Sequence, residues 1–208
     1  MAALNPEPKT KGLPVEIIKA DKLTNLKWLN LFEVAYVDKY GGARTWQVAT
    51  RAGQPKCVSG RFTQPDAVVI VAFHTSRHKL VVTREYRVAL AAYEYGFPAG
   101  LIDGGESIEQ AVRRELKEET GLDLIRVIGA SPPVYSSAGM TDESVAMVYV
   151  DCSGRPSSAG NTASEAIEVE FVSPDRAARL CQDPDLKFDA KAWLVLHSYA
   201  TSGRLWER

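Results

Sequence analysis

Apolar positions along this chain come mostly in short β-rich runs broken by polar turns, with one segment that changes to a helical period. From Trp28, "WLNLFEVAYV" and "RTWQVAT" flank the turn-like "DKYGG", which reads as a hairpin. "AVVIVAF" and "KLVVTREYR" flank the polar "HTSRH" as a second pair, and a short strand is expected around Tyr93–Phe97. Further on, "LIRVIGA", "SVAMVYVD" and "IEVEFVS" read as strands. Ser107 followed by Gln110 forms a capping box and Gly121 is placed to end the segment in a left-handed conformation, so 107–120 is a helix. Two more helices close the chain, one capped by Ser173 with Pro174 at its first position, the other over roughly 189–201. Many strands in mixed order with interspersed helices predict an α/β (α+β) sandwich.

The helix at 107–120 carries its charges on an unusual side. At about 100° per residue, with Glu115 at zero, Ile108, Ala111, Val112 and Leu116 fall between about −40° and about 100°. That arc is apolar, yet Glu118 at about −60° and Glu119 at about 40° fall beside or within it, while Glu109, Gln110, Arg113 and Lys117 point away. Three carboxylates, Glu115, Glu118 and Glu119, are thus expected on the inward side, where desolvation and mutual repulsion penalise them. Arg114 can neutralise one, with Glu118 at i+4 the expected partner. The remaining negative charge calls for a hard divalent cation with oxygen ligands, Mg²⁺ or Mn²⁺, since no histidine or cysteine lies close in sequence.

Composition bounds what else the chain can be. Its 208 residues, 45% hydrophobic, suffice for one core, and 25 Lys+Arg against 26 Asp+Glu leave a formal net charge of −1 without a basic block. Nothing global attracts nucleic acid or an anionic membrane. Cys57, Cys152 and Cys181 are widely spaced and odd in number, which argues for small buried thiols in a reducing compartment and against a disulfide framework. The longest apolar run, 67–73, is too short to span a bilayer, and the Pro- and Lys-rich start has no apolar leader core. A soluble cytoplasmic protein is expected. Its parts would be a loose tail at 1–14, a β-hairpin region at 15–60 and a main domain at 61–208. His74 and His78 flank a turn and are expected to face solvent.

Gly100, Glu106 and the run Arg114-Glu115-Leu116-Lys117-Glu118-Glu119-Thr120-Gly121-Leu122 match G-x5-E-x7-R-E-U-x-E-E-x-G-U (U apolar) at every fixed position. This pattern resembles the Nudix box. The resemblance implies an α/β/α sandwich with a mixed sheet and an N-terminal β-hairpin, and Mg²⁺- or Mn²⁺-dependent hydrolysis of nucleoside diphosphates linked to another group, with more than one ion per site. It implies Glu115, Glu119 and the Ala99 carbonyl as metal ligands, Glu118 as a further ligand or metal–water contact, and Arg114 as the residue that holds the glutamates.

Outside the box, "FPAGLIDGGES" and "KWLNLFEVAYVDKYGGARTWQVATR" resemble the ADP-ribose and ADP-sugar pyrophosphatase group. That likeness implies Trp28 and Trp46 stacking on adenine, Arg51 and Arg87 contacting the diphosphate, and a homodimer whose N-terminal hairpins exchange. The residue types suit these roles, since Trp offers a flat face and Arg a bidentate fork. As residues alone, the tryptophans can also be read as core aromatics of a hairpin and the arginines as surface charges. The loop "SSAGMTDES", with Gly139, Met140 and Thr141, is expected over the distal sugar. Two loop glutamates remain open as general base, Glu165 in "GNTASEAIEVEFV", which is preferred, and Glu143. Ala138 stands where the group usually has proline and Gly96 where it has glutamate, so another nucleotide sugar, carrying GDP or UDP, stays open. A non-hydrolytic ADP-ribose sensor fits poorly with an intact box.

Overall fold

In the computed structural model, which describes residues 14–161 and 166–205, the elements run in the following order. The N-terminal part holds β1 (Glu16–Lys22), β2 (Asn30–Val37), β3 (Ala43–Thr50) and the short α1 (Lys56–Ser59). Next come β4 (Ala67–His74), β5 (Lys79–Arg87), β6 (Ala92–Gly96), β7 (Ala99–Leu101), α2 (Ile108–Thr120), β8 (Asp123–Ala130) and β9 (Val134–Tyr135). The chain ends with β10 (Ser144–Ser153), β11 (Ile167–Val172), α3 (Pro174–Gln182), β12 (Lys187–Phe188) and α4 (Ala190–Ser202). The tail expected at 1–14 lies, apart from Pro14, outside the described residues.

Two compact units result, one comprising the described chain to Pro65 together with Pro133–Val145, the other Asp66–Pro132 and Ala146 onward. In the first, β1, β2 and β3 form an antiparallel sheet, with β2 and β3 in register from Asn30 opposite Thr50 to Val37 opposite Ala43. Asp38 shapes the expected hairpin turn, because its Oδ1 accepts from the Tyr40 and Gly42 amides at 2.9 Å each while Gly41 takes φ 82°. Phe32, Val34 and Val48 form this unit's small core. The buried Lys56 ties the 142–144 stretch to it: its amide donates to Asp142 Oδ2 at 2.7 Å and its Nζ to Ser144 Oγ at 2.6 Å. β1 was not foreseen, because "EIIKADK" lacks a two-residue alternation.

The second unit is built on a mixed sheet in the order β12-β6-β5-β4-β10-β8, with β11 paired to β5 and β7 to β4. β12 runs parallel to β6, whereas β5 pairs antiparallel with β4, β6 and β11. Residues 67–72 of β4 are all buried, as expected of a strand covered on both faces. Val68, Ile70 and Ala72 join Ala111, Val112 and Leu116 of α2 in one core cluster. Alternation turns Val69 and Val71 the other way, and α3 and α4 pack on each other, with α4 against β6. The fold is therefore a mixed α+β arrangement, as the strand and helix pattern predicted. Among the described residues no helix is long and apolar enough to cross a membrane.

Two side-chain expectations are corrected. Cys57 is exposed, and only Cys152 is fully buried. His74 is buried, not solvent-facing: its Nε2 lies 3.0 Å from the Gly154 carbonyl, its Nδ1 accepts from the Arg77 amide at 3.3 Å, and its ring meets Phe171 edge-on at 5.1 Å. Those contacts pin the β4–β5 turn to the end of β10, a need that a polar turn sequence does not reveal. Replacing His74 with Ala is expected to destabilise the protein by about 1–3 kcal/mol, because it strands the Gly154 acceptor and opens a gap. Chemical denaturation would measure this.

Candidate active site

In the second unit, β7 delivers Gly100 against β4, and a short turn carries the chain into α2. The helix starts and stops as its sequence dictates. Ser107 Oγ accepts from the Gln110 amide and Gln110 Oε1 from the Ser107 amide, while Gly121 closes the other end at φ 73°.

Arg114 is the hub of the site. Its Nε and Nη2 grip both Glu106 oxygens at 3.0 and 2.9 Å, Nη1 reaches Glu115 Oε1 at 2.6 Å and Glu118 Oε2 at 3.4 Å, and Nη2 also donates to the Leu101 carbonyl at 2.9 Å. The expected i+4 partner, Glu118, is thus a weaker contact than Glu106 or Glu115, with Asp103 farther still at 3.9 Å, because the Glu106 loop offers a bidentate match to the guanidinium plane. Glu119 Oε2 accepts from the Ala99 amide at 3.0 Å.

The three glutamates do not share one degree of burial. Glu115 is buried at 9% exposure, Glu119 is half-buried, and the Glu118 side chain is 52% exposed. The inward placement expected of Glu118 from the helical wheel is corrected: at about −60° on that count it lies beyond the buried residues of the helix and faces mostly solvent. Gly100 makes the burial of Glu115 possible: a β-carbon there would overlap the Glu115 carboxylate. That glycine is needed for space and not for an unusual φ.

Charge follows geometry. The Arg114 guanidinium, then the Asp103 amide, hold Glu106 below its ordinary carboxylate range. Burial pushes Glu115 up; Arg114 opposes this, and Glu118 and Glu106 add to it. Arg114 itself is held still more firmly in its charged form, chiefly by Glu106. Glu106, Glu115, Glu118 and Glu119 leave an excess of negative charge over this one guanidinium. Oxygen donors and surplus negative charge suit a hard divalent cation. As they stand, several of these oxygens are engaged with Arg114 and the Ala99 amide, and among the described residues no three acidic, His or Cys side chains form a ready-made metal cage.

The first unit holds most of the other nominated residues. Trp28 and Trp46 are 68% and 53% exposed, so neither is a core aromatic, and Lys27 Nζ sits 4.3 Å over the Trp28 ring. Trp46, Ala138 and Thr141 line a largely apolar cavity of about 580 Å³ with Tyr36, Phe62 and Tyr135. Arg51 Nε donates to Glu143 Oε2 at 3.1 Å. Met140 is exposed and its carbonyl accepts from the Ala49 amide at 2.8 Å; Thr141 Oγ1 accepts from the Glu143 amide at 3.2 Å; Gly139 borders open space. In the second unit, Arg87 bonds Glu85 Oε1 at 2.8 Å and Glu94 Oε2 at 3.3 Å. Glu165 lies outside the described residues. The Glu106 grip on Arg114 went unassigned from sequence, although Glu106 is a fixed position of the motif.

The fold and this site define a class. Residues 63–194 match the NUDIX domain model, and the chain belongs to that family. It is 32% identical over 166 residues to "Putative nudix hydrolase 2" of Caenorhabditis elegans, covering 76% of this chain and 72% of the relative. It is also 31% identical over 147 residues to the "ADP-ribose pyrophosphatase" of Saccharomyces cerevisiae, covering 68% of this chain and 62% of that one. A crystal structure of an ADP compounds hydrolase superposes with a TM-score of 0.68 over 93% of this chain and 98% of the other, at 20% identity, and shares the fold.

Gly100→Ala is expected to displace Glu115 and lower kcat/KM roughly 100-fold, since small misplacements of catalytic groups cost about that much; steady-state kinetics would show it. The Glu106 pKa lies below its unfolded value of 4.5, so the stability this pair contributes is present above that pH and lost as pH falls through the folded value. Denaturation midpoints of wild type and Glu106→Gln should therefore converge in acid. Glu115, shifted upward, has the opposite sign, and its burial favours the fold more as pH falls.

Proposed function

We propose that this chain is a metal-dependent pyrophosphatase that hydrolyses the diphosphate of ADP-ribose, or of a related ADP-sugar, to AMP and a sugar phosphate. The observation that carries the reading is the intact Nudix box, with Glu115 seated against Gly100 and its neighbours gathered by Arg114. The yeast likeness narrows the substrate class. In the reaction a water oxygen attacks one phosphorus, the bridging P–O bond breaks with its electron pair leaving on the departing phosphate, and a carboxylate takes the water's proton.

Glu115, Glu118, Glu119 and the Ala99 carbonyl are the groups that would hold Mg²⁺ or Mn²⁺. A bound divalent cation supplies the positive charge that neutralises phosphoryl oxygens and acidifies water. Arg114 keeps the glutamates oriented, so that they need not reorganise as charge develops. Glu165 is the preferred base, with Glu143 as the alternative. Trp28 and Trp46 offer exposed faces for the base, Arg51 and Arg87 bind the diphosphate in exchange for their present carboxylate partners, and Gly139, Met140 and Thr141 border the distal sugar. The exposed Val15, Ile17, Ile18, Leu26 and Trp28 of the N-terminal region support a homodimer through the 15–60 region. The 61–208 part is the hydrolase domain, and the working compartment is the cytoplasm.

Phosphate-coupled turnover of ADP-ribose, ADP-glucose, GDP-mannose and UDP-glucose with Mg²⁺ tests this in wild type and Glu119→Gln. ADP-ribose should lead, and the variant should lose most of its rate. A GDP- or UDP-sugar leading would assign Ala138 and Gly96 to a differently specified pocket; binding without turnover would replace the enzyme by a sensor.

A further inference from the structure

Two residues on the stretch after β10 pack against the backbone of the C-terminal turn of α2 from outside the helix. Gly121 and Ser157 meet so closely that a β-carbon on Gly121 would fall 2.7 Å from the Ser157 amide nitrogen. That amide donates to the Thr120 carbonyl at 2.9 Å, satisfying one of the carbonyls a helix end leaves open. Three residues on, Gly160 lies flat against the helix. A β-carbon there would stand 2.6 Å from the Glu118 carbonyl oxygen and 2.9 Å from the Glu118 α-carbon, distances that real side chains do not adopt. The Ser157 and Ser158 side of this stretch also bounds a polar cleft of about 230 Å³ with Glu119 and Glu168.

We infer that Gly160 and the Ser157 amide form a clamp that fixes the last turn of α2, so that Gly160 is a positioning residue for the Glu118 and Glu119 carboxylates. The physical reason is leverage. Glu118 and Glu119 lie within the final three residues of the helix, where end carbonyls are open and the backbone frays. Arg114 steadies the turn on one side through Glu118, and the Ala99 amide fixes the tip of Glu119. Neither holds the Glu118 backbone. Gly160 does so by direct contact, which only a residue without a side chain permits.

This inference rests on the metal-site reading above, so its test separates the two. Mn²⁺ binding to the substrate-free protein would be titrated by electron paramagnetic resonance, alongside Mg²⁺ dependence of ADP-ribose turnover, for wild type, Gly160→Ala and Gly129→Ala. A β-carbon on Gly129 meets nothing within 4 Å, so it serves as control. Gly160→Ala should weaken Mn²⁺ binding and raise the half-saturating Mg²⁺ by roughly tenfold or more, the cost of disturbing groups that orient metal ligands. KM for ADP-ribose at saturating Mg²⁺ and the metal-free thermal midpoint should stay near wild type. Unchanged metal binding in a folded Gly160→Ala protein overturns the clamp, as does a fall in kcat with a matching fall in thermal midpoint and no change in metal saturation. If Gly160→Ala does not fold, Ser157→Pro, which removes the donating amide, decides: a raised metal requirement supports the clamp and an unchanged one overturns it. A wild type that neither binds Mn²⁺ nor turns over ADP-ribose removes the metal-site reading itself.

Discussion

Everything at the site depends on how one guanidinium is shared among too many carboxylates. Arg114 binds Glu106 through a two-toothed contact, reaches Glu115 at 2.6 Å and touches Glu118 at 3.4 Å. Without it, Glu115 would sit buried beside Glu106 and Glu118 with little to offset desolvation. With it, that penalty is partly opposed, and the cluster still carries more carboxylates than cations. A structure that served stability alone would dispense with such a cluster, since buried ionic groups seldom repay their desolvation.

The surrounding fold meets this electrostatic demand by steric means. Gly100 on β7 gives up its side chain so that the Glu115 carboxylate can lie against the strand, and Gly160 gives up its own so that the stretch after β10 can lie against the last turn of α2. β4, buried along 67–72, is the fixed surface from which both β7 and α2 are positioned. Helix caps at Ser107 and Gly121 complete the frame, so Glu115, Glu118 and Glu119 sit on a helix whose ends are specified.

In the N-terminal unit, polar contacts take over from bulk packing. Its core cluster is small, and much of its order comes from Asp38 in the turn, Asn30 bridging back to Leu26, and Lys56 holding Asp142 and Ser144. The aromatic faces of Trp28 and Trp46 are left outside that core. Such a unit trades burial for exposed aromatic surface.

The sequence by itself determined the elements with strong local signals: the Asn30–Thr50 hairpin, the β4–β5 pair, and the helix ends set by Ser107, Gly121, Ser173 and Pro174. It also determined the family, because the box is a contiguous pattern in which each residue type answers a local need. What it did not determine were the contacts made by chain segments distant along the sequence. The wheel count put Glu118 inward, yet its exposure depends on where other strands stop. Arg114 chose Glu106 over Glu118 because a loop folded back to present two oxygens in one plane. His74 looked like a turn residue until Gly154 and Phe171 closed around it. Helix periodicity and capping are properties of neighbours in the chain, whereas burial and partner choice are properties of neighbours in space, and those only the tertiary structure decided.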